Sequence, residues 1–221
     1  MPGLNHVEPG GAPLLVRLSP TVTMTKISVG GPMDNNAYLL QSRGGATVLI
    51  DAANDSHRLL TLIGEQPVDT IVTTHRHADH WQALAVVAEH TGARLVAGRP
   101  DAEAIEREAG VRGIEQVWDG DAVDLGEESL TVIGLVGHTP GSIALAYRIG
   151  VVPHLFTGDS LFPGGPGRTH FEEDFTSLMD DLERKVFGAF GDDTVVHPGH
   201  GDDTTLGIER PHLTEWRERG W

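Results

Sequence analysis

Thr74-His75-Arg76-His77-Ala78-Asp79-His80 places four groups able to ligate a metal within six residues. The preceding run 69–74 (DTIVTT) is short, apolar and β-branched, as in a buried strand. The following run 79–91 carries Leu84, Val87 and Ala88 at helical spacing, and Gly92 can take the left-handed conformation that ends a helix. A strand that passes its chain to a helix through a histidine-rich turn belongs to a layered α/β fold, and strand ends are where loops build sites. If the backbone stays extended past Thr74, His75, His77 and Asp79 share parity and project to one side. His80 then falls in the first turn of the helix and faces elsewhere, so Asp79 and His80 could serve a second ion close to the first.

Working outward, 22–29, 36–41 and 46–50 read as a strand meander punctuated by Gly30-Gly31-Pro32 and Gly44-Gly45. A helix is expected over 54–65. Downstream, 94–97 reads as a strand, 100–109 as a helix, and 121–125, 129–136, 142–148 and 151–157 as four strands. A helix at 175–187, a strand at 194–197 and two short helices between 204 and 219, divided near Pro211, complete the pattern. No linker, low-complexity stretch or sequence repeat interrupts it, and one domain over 1–221 is expected.

Three later signals have the same character as the opening run: His138 in VGHTPGS, Asp159 in FTGDSLF and His200 in HPGHGDD, each at a strand end beside glycines. Glycine lets backbone turn sharply and come close to a bound group. A lone His-x-His is commonly a satisfied surface pair; the ensemble of His75, His77, Asp79, His80, His138, Asp159 and His200 is what carries a metal reading. His6, His57, His90, His154, His170, His197 and His212 lack that context and read as structural or surface residues, although His170 and Arg168 follow Asp159 closely enough to border the cavity. Asp51, at the end of the strand ATVLID, has two equal readings: it starts a turn, or it hydrogen-bonds a histidine ligand. The acidic groups at 119–124 and 172–174 read as solvated loops and helix N-termini.

Composition narrows the chemistry. Sixteen basic against thirty-two acidic residues give a formal charge of -16, which disfavours nucleic acid and anionic membrane surfaces and leaves a small-molecule substrate. The absence of cysteine removes disulfides, thiolate ligands and a cysteine nucleophile, so a metal must sit on nitrogen and oxygen. No basic leader followed by an apolar run opens the chain, and no stretch approaches the length of a membrane span; a soluble, cytoplasmic protein is expected. Oligomeric state stays open, because Trp216 and Trp221 in the tail suit packing within the chain or against a second subunit.

Taken together, HRHADH with His138, Asp159 and His200, and the segment GRTHFEEDFTSLMDDLE followed by PGHGDDTTLGIERPHL, resemble the metallo-β-lactamase fold superfamily. Within it they are most similar to short bacterial members of the glyoxalase II-like (hydroxyacylglutathione hydrolase-like) branch, and the resemblance covers most of the chain. It implies an α/β fold, an αββα sandwich of two mixed β-sheets with outer helices and the metals at one edge. It also implies that His75, His77 and His138 hold one ion, that Asp79, His80 and His200 hold the other, and that Asp159 bridges them.

Two divalent ions, zinc first with iron or manganese as alternatives, would lower the pKa of water from 15.7 to about 7, so no nucleophilic side chain is needed. A metal-bridging hydroxide, oriented by Asp79, would attack a metal-polarised carbonyl. With no evident general acid, a thiolate leaving group is favoured, its thiol having a pKa of about 8.5. Thioester hydrolysis is therefore the leading expectation. Glyoxalase II proper binds glutathione through a C-terminal helical domain, whereas only a short tail follows His200, so the client thiol stays open. The alternatives are lactone hydrolysis, an iron-dependent persulfide dioxygenase using the equivalents of His75, His138 and Asp159, and a non-catalytic metal-binding protein. Antibiotic hydrolysis is disfavoured, since lactamases with this motif generally lack the bridging aspartate or use a cysteine ligand.

Overall fold

The computed structural model describes residues 4–30 and 34–220, so Gly31, Pro32 and Trp221, which figured in the turn and tail readings, lie outside the described residues. Seven strands form a first sheet in chain order: β1 (Leu14–Arg17), β2 (Val22–Ser28), β3 (Asn36–Ser42), β4 (Thr47–Ile50), β5 (Thr70–Thr73), β6 (Arg94–Gly98) and β7 (Glu115–Val117). The first four pair antiparallel. From β4 onward the pairing is parallel, because the chain returns each time through a helix: α1 (Ser56–Ile63), α2 (Leu84–Thr91) and α3 (Arg99–Ala109).

A second sheet has the order β15-β14-β11-β10-β9-β8, with β8 (Ala122–Leu125), β9 (Glu128–Gly134), β10 (Ile143–Tyr147), β11 (His154–Gly158), β14 (Val195–Pro198) and β15 (Thr204–Thr205). Between β11 and β14 come a two-strand ribbon, β12 (Leu161–Phe162) with β13 (Gly165–Pro166), and the helix α4 (Glu172–Asp181). Two short helices, α5 (Leu206–Glu209) and α6 (Leu213–Arg219), flank a 3-10 turn over Arg210–His212 near the C-terminus.

Alternation along single strands sorts the core into three slabs. Ala37 and Leu39 of β3 join Leu59, Ile63, Leu84, Val87 and Ile105 of the first three helices. Tyr38 and Leu40, on the other face of β3, meet Ile143, Leu145 and Tyr147 of β10 between the sheets. Ala144 and Ala146, on the opposite face of β10, pack with Leu178, Met179 and Trp216. Helix, sheet, sheet, helix is the resulting order, the αββα sandwich expected.

Several boundaries differ from expectation. The chain does not stay extended from Thr74 to Asp79: Ala78–His80 forms a 3-10 turn, so the shared parity of His75, His77 and Asp79 fails at Asp79. The helix expected from Asp79 begins at Leu84, since Trp81 caps the 3-10 turn and Gln82 and Ala83 donate to the carbonyls of Ala53 and Ala52 instead of continuing it. α4 starts earlier than 175 because Glu172, Glu173 and Asp174 fill its first turn and favour its dipole; past Asp181 it winds as a π-helix over Leu182–Phe187. β1, β7, β12, β13 and β15 were not anticipated.

Candidate metal centre

Four loops converge at one edge of the sandwich. Residues 74–80 leave the end of β5, 137–142 lead into β10, Asp159 follows β11, and 199–203 follow β14. β10 runs antiparallel to β11, and β14 runs parallel to β11, so the start of the first and the ends of the other two share one side. Backbone bonds then join the loops directly. Ile143 N–H donates to Thr74 O at 2.9 Å across the sheets, and Gly199 N–H donates to Gly158 O at 2.8 Å.

All seven predicted ligand residues meet there, in three overlapping groups whose ligand atoms lie within 4.8 Å of one another: His75, His77 and His138; His75, His80 and Asp159; and Asp79, His80 and His200. Asp79 thus sides with His80 and His200, across the site from where strict alternation would put it. His200 Nε2 is 3.2 Å from Asp159 Oδ2 and 3.4 Å from Asp79 Oδ2.

The outer nitrogen of three rings is already engaged. His138 Nδ1–H donates to Arg168 O at 2.7 Å, and His80 Nδ1–H to Asp51 Oδ2 at 2.8 Å. Thr74 Oγ1–H donates to Asp51 Oδ2 at 2.8 Å and so accepts from His75 Nδ1–H at 3.1 Å. Each of these rings therefore turns its Nε2 lone pair inward. The inner atoms crowd together: His75 Nε2 faces His77 Nδ1 at 3.1 Å, His80 Nε2 lies 3.2 Å from both His200 Nε2 and Asp159 Oδ1, and His138 Nε2 is buried without a hydrogen-bond partner. Lone pairs and carboxylate oxygens aimed at one locus call for cations, and the donor set of nitrogen and oxygen suits divalent first-row metals.

Electrostatics point the same way. Burial lowers His75 well below the ordinary imidazole range, helped by His80, and it also lowers His77 and His138. Burial likewise depresses His80, but Asp159 and Asp51 outweigh it and raise the ring well above that range. Burial pushes Asp159 up, yet His80 and the His200 contact hold its carboxyl well below the carboxylate range. The carboxylates thus draw positive charge to this point of the fold. A Cβ on Gly199 would lie 2.5 Å from His80 Cε1 and still closer to Asp159 Oδ1, so only glycine permits this approach.

The supporting shell holds residues that sequence reasoning weighed or missed. Asp51 does both things considered for it, adopting φ 58° at the turn and holding His80 and Thr74. Asn35, not anticipated, donates to Asp79 O and Oδ2, both at 3.1 Å. Trp81 Nε1–H donates to Arg76 O at 2.9 Å and braces the His75–His77 turn. Arg168 borders the site through its carbonyl, while its side chain and His170 are exposed. His154 and His197 are buried and paired to each other at 3.0 Å. Among the described residues, no helix is long and apolar enough to cross a membrane.

A family profile described as the metallo-beta-lactamase superfamily matches residues 30–205. Hydroxyacylglutathione hydrolase GloC of Haemophilus influenzae is 29% identical over 196 residues, covering 79% of this chain and 89% of the relative. A hydroxyacylglutathione hydrolase of Photobacterium profundum is 31% identical over 206 residues, covering 88% and 75%. Among solved structures, the BLEG-1 B3 metallo-beta-lactamase superposes with a TM-score of 0.74 at 25% identity, covering 86% of this chain and 97% of that one. TTHA1623 in a di-iron-bound form superposes with a TM-score of 0.68 at 30% identity, covering 82% and 95%.

Proposed function

Because the chain belongs to the metallo-beta-lactamase superfamily and stands among its metallo-hydrolases, we propose that it hydrolyses thioesters with two divalent ions. The observation that carries this reading is the set of three overlapping ligand groups at one sheet edge. We assign His75, His77 and His138 to one ion, Asp79, His80 and His200 to the other, and Asp159 to both. When bound, the ions would supply a water activated near neutral pH and a Lewis acid for the scissile carbonyl.

The chain's own residues do the rest. Asp79, steadied by Asn35 and partly open to solvent, orients the attacking water and takes its proton at the carboxylate. Thr74, Asp51 and the Arg168 carbonyl orient the rings of His75, His80 and His138, so that the Nε2 of each faces the site. Phe162, with its ring 6.1 Å from that of His200, gives the approach an apolar wall. Among the described residues beside the ligands, no side chain is set aside as a proton donor, which suits a thiolate leaving group of conjugate pKa about 8.5. The names of the relatives point to an acylated glutathione as the first substrate to try.

Zinc is the proposed metal. Iron is the second reading, on the support of the di-iron neighbour. The group of Asp79, His80 and His200, which shares no member with the group of His75, His77 and His138, favours two ions over the single iron of a dioxygenase. Elemental analysis of purified protein, followed by S-D-lactoylglutathione, other thioesters and lactones, tests the proposal. Two ions per chain and thioester turnover abolished by chelation are expected. Equal rates before and after verified metal removal, or oxygen uptake with glutathione persulfide in place of hydrolysis, would overturn it.

A further inference from the structure

Asp101 lies in the first turn of α3 with no solvent exposure, and its carboxylate serves two ligand-bearing loops at once. Oδ2 accepts the Arg76 N–H at 3.0 Å and the Thr139 hydroxyl at 2.5 Å, and Oδ1 accepts the Gly141 N–H at 3.0 Å. Arg76 stands between His75 and His77, and Thr139 follows His138. One side chain therefore ties the first-sheet loop carrying two members of the His75, His77 and His138 group to the second-sheet loop carrying the third.

The packing around it is built for that contact. A Cβ on Gly141 would lie 2.7 Å from Asp101 Cγ, so the loop comes closer than any side chain there would allow. The Thr139 hydroxyl, donating to Asp101, accepts from Ser142 Oγ at 2.6 Å, and Ser142 Oγ accepts the Thr139 N–H at 3.2 Å. Burying a carboxylate costs free energy unless several donors meet it; two backbone N–H groups and a hydroxyl do so here. The Arg76 guanidinium adds little, with Nε 3.9 Å away and the side chain 44% exposed. Residues of the other group are held elsewhere, Asp79 by Asn35, His80 by Asp51, and the His200 loop by Asn36, Tyr38 and Lys26.

We propose that Asp101 is a positioning residue for the first ion: it holds His75, His77 and His138 in register across the two sheets and so sets that ion's affinity, while the second ion is independent of it. This rests on the ligand assignment made above. Asp101→Asn keeps the volume but offers a single acceptor oxygen to three donors. Zinc affinity is read by competition with a chromophoric chelator in two backgrounds, His200→Ala, which keeps the first group whole, and His77→Ala, which keeps the second. Asp101→Asn is expected to weaken zinc about tenfold or more in the first background and to leave the second unchanged.

Thr139→Val and Thr139→Ser provide a second route if Asp101→Asn does not fold. The valine variant is expected to weaken the first ion, and the serine variant, which keeps the hydroxyl, to restore it. Equal weakening in both backgrounds would reduce Asp101 to a general stabilising role and overturn the proposal, as would unchanged affinity in both. A parent protein that binds no zinc, iron or manganese would overturn the metal assignment together with the clamp, whereas two tightly held ions indifferent to Asp101 would overturn the clamp alone.

Discussion

Histidines in this protein divide by what their outer nitrogen touches. At the candidate centre, Thr74, Asp51 and the Arg168 carbonyl take that nitrogen's proton-bearing side, and the inner lone pair is left for a cation. In the second sheet the chain of contacts closes on itself. His197 Nδ1–H donates to Asp203 Oδ2 at 2.7 Å, and its Nε2 pairs with His154 Nδ1 at 3.0 Å. Burial, with the His197 ring beside it, pushes His154 down to about 4, and Asp203 only partly offsets this. Unfolded histidine titrates near 6.5, so between that value and about 4 the unfolded chain binds the extra proton and the folded one does not. Stability is therefore lost as pH falls through this window. His154→Asn keeps a hydrogen-bonding partner for His197 and removes the titration. Urea midpoints at several pH values from 7 to 4.5 should fall less steeply in the variant; parallel losses would refute the assignment. The seven residues proposed as ligands, which the fold brings to one place, were legible in the sequence as a group because ligand chemistry restricts residue type and close approach restricts the neighbours to glycine. Asp51 was half legible, since a strand-end aspartate signals a turn whether or not a histidine lies above it. Asn35 and Asp101 were illegible, because their partners, backbone and side-chain alike, are distant in sequence and brought close only by the assembled sheets.

Among the elements, β2 conceals the least expected residue. VTMTKIS reads as an ordinary strand, yet Lys26 is fully buried, with Nζ donating to Asp203 Oδ1 and to Gly201 O, each at 2.7 Å. The loop after β14, which carries His200, is thereby anchored to the first sheet, with Tyr38 and Asn36 holding Pro198 O at 2.6 and 3.0 Å. Lys26→Met fills the space but strands the Asp203 charge, a loss of about 3–5 kcal/mol when one partner of a buried pair is removed. Denaturant unfolding should show that loss, and the double variant with Asp203→Asn should recover part of it; a single variant as stable as the parent would mean the pair is not formed. Elements with a clear apolar or alternating run were read well: β2 to β6, β8 to β11, α1 and α3 fall within a few residues of their expected ranges. Failures share one cause. Two-residue strands such as β12, β13 and β15 have too few residues to show a period, and they exist because a neighbouring strand offers free backbone groups. The delayed start of α2 is also tertiary, since Gln82 and Ala83 give their N–H groups to the turn after β4.

At the scale of the molecule, the proposed ligands are split between the halves. His75, His77, Asp79 and His80 leave the first sheet, and His138, Asp159 and His200 leave the second, so ions held between them fasten one sheet to the other. Ligands that bind only the folded state stabilise it by mass action, about 4.1 kcal/mol for a site at roughly 1,000 times its Kd. For a domain of this size 1 kcal/mol moves the Tm by about 2–4 °C. Removing a tightly held ion should therefore lower the Tm by roughly 8–16 °C, and a second ion should add to it. The unfolded chain keeps His75, His77, Asp79 and His80 close in sequence but parts them from His138, Asp159 and His200, so metal binding to the unfolded state offsets some of this stabilisation. Calorimetry of the purified protein before and after chelation, and again after zinc is restored, measures the effect directly. His138→Ala with Asp159→Asn, which removes ligands from the second sheet while leaving those of the first, should bring the metal-loaded Tm down toward that of the chelated parent. A Tm indifferent to chelation would show that the two sheets hold together through their shared apolar slab and the hydrogen bonds between them, and the ions would then have no part in fastening the fold.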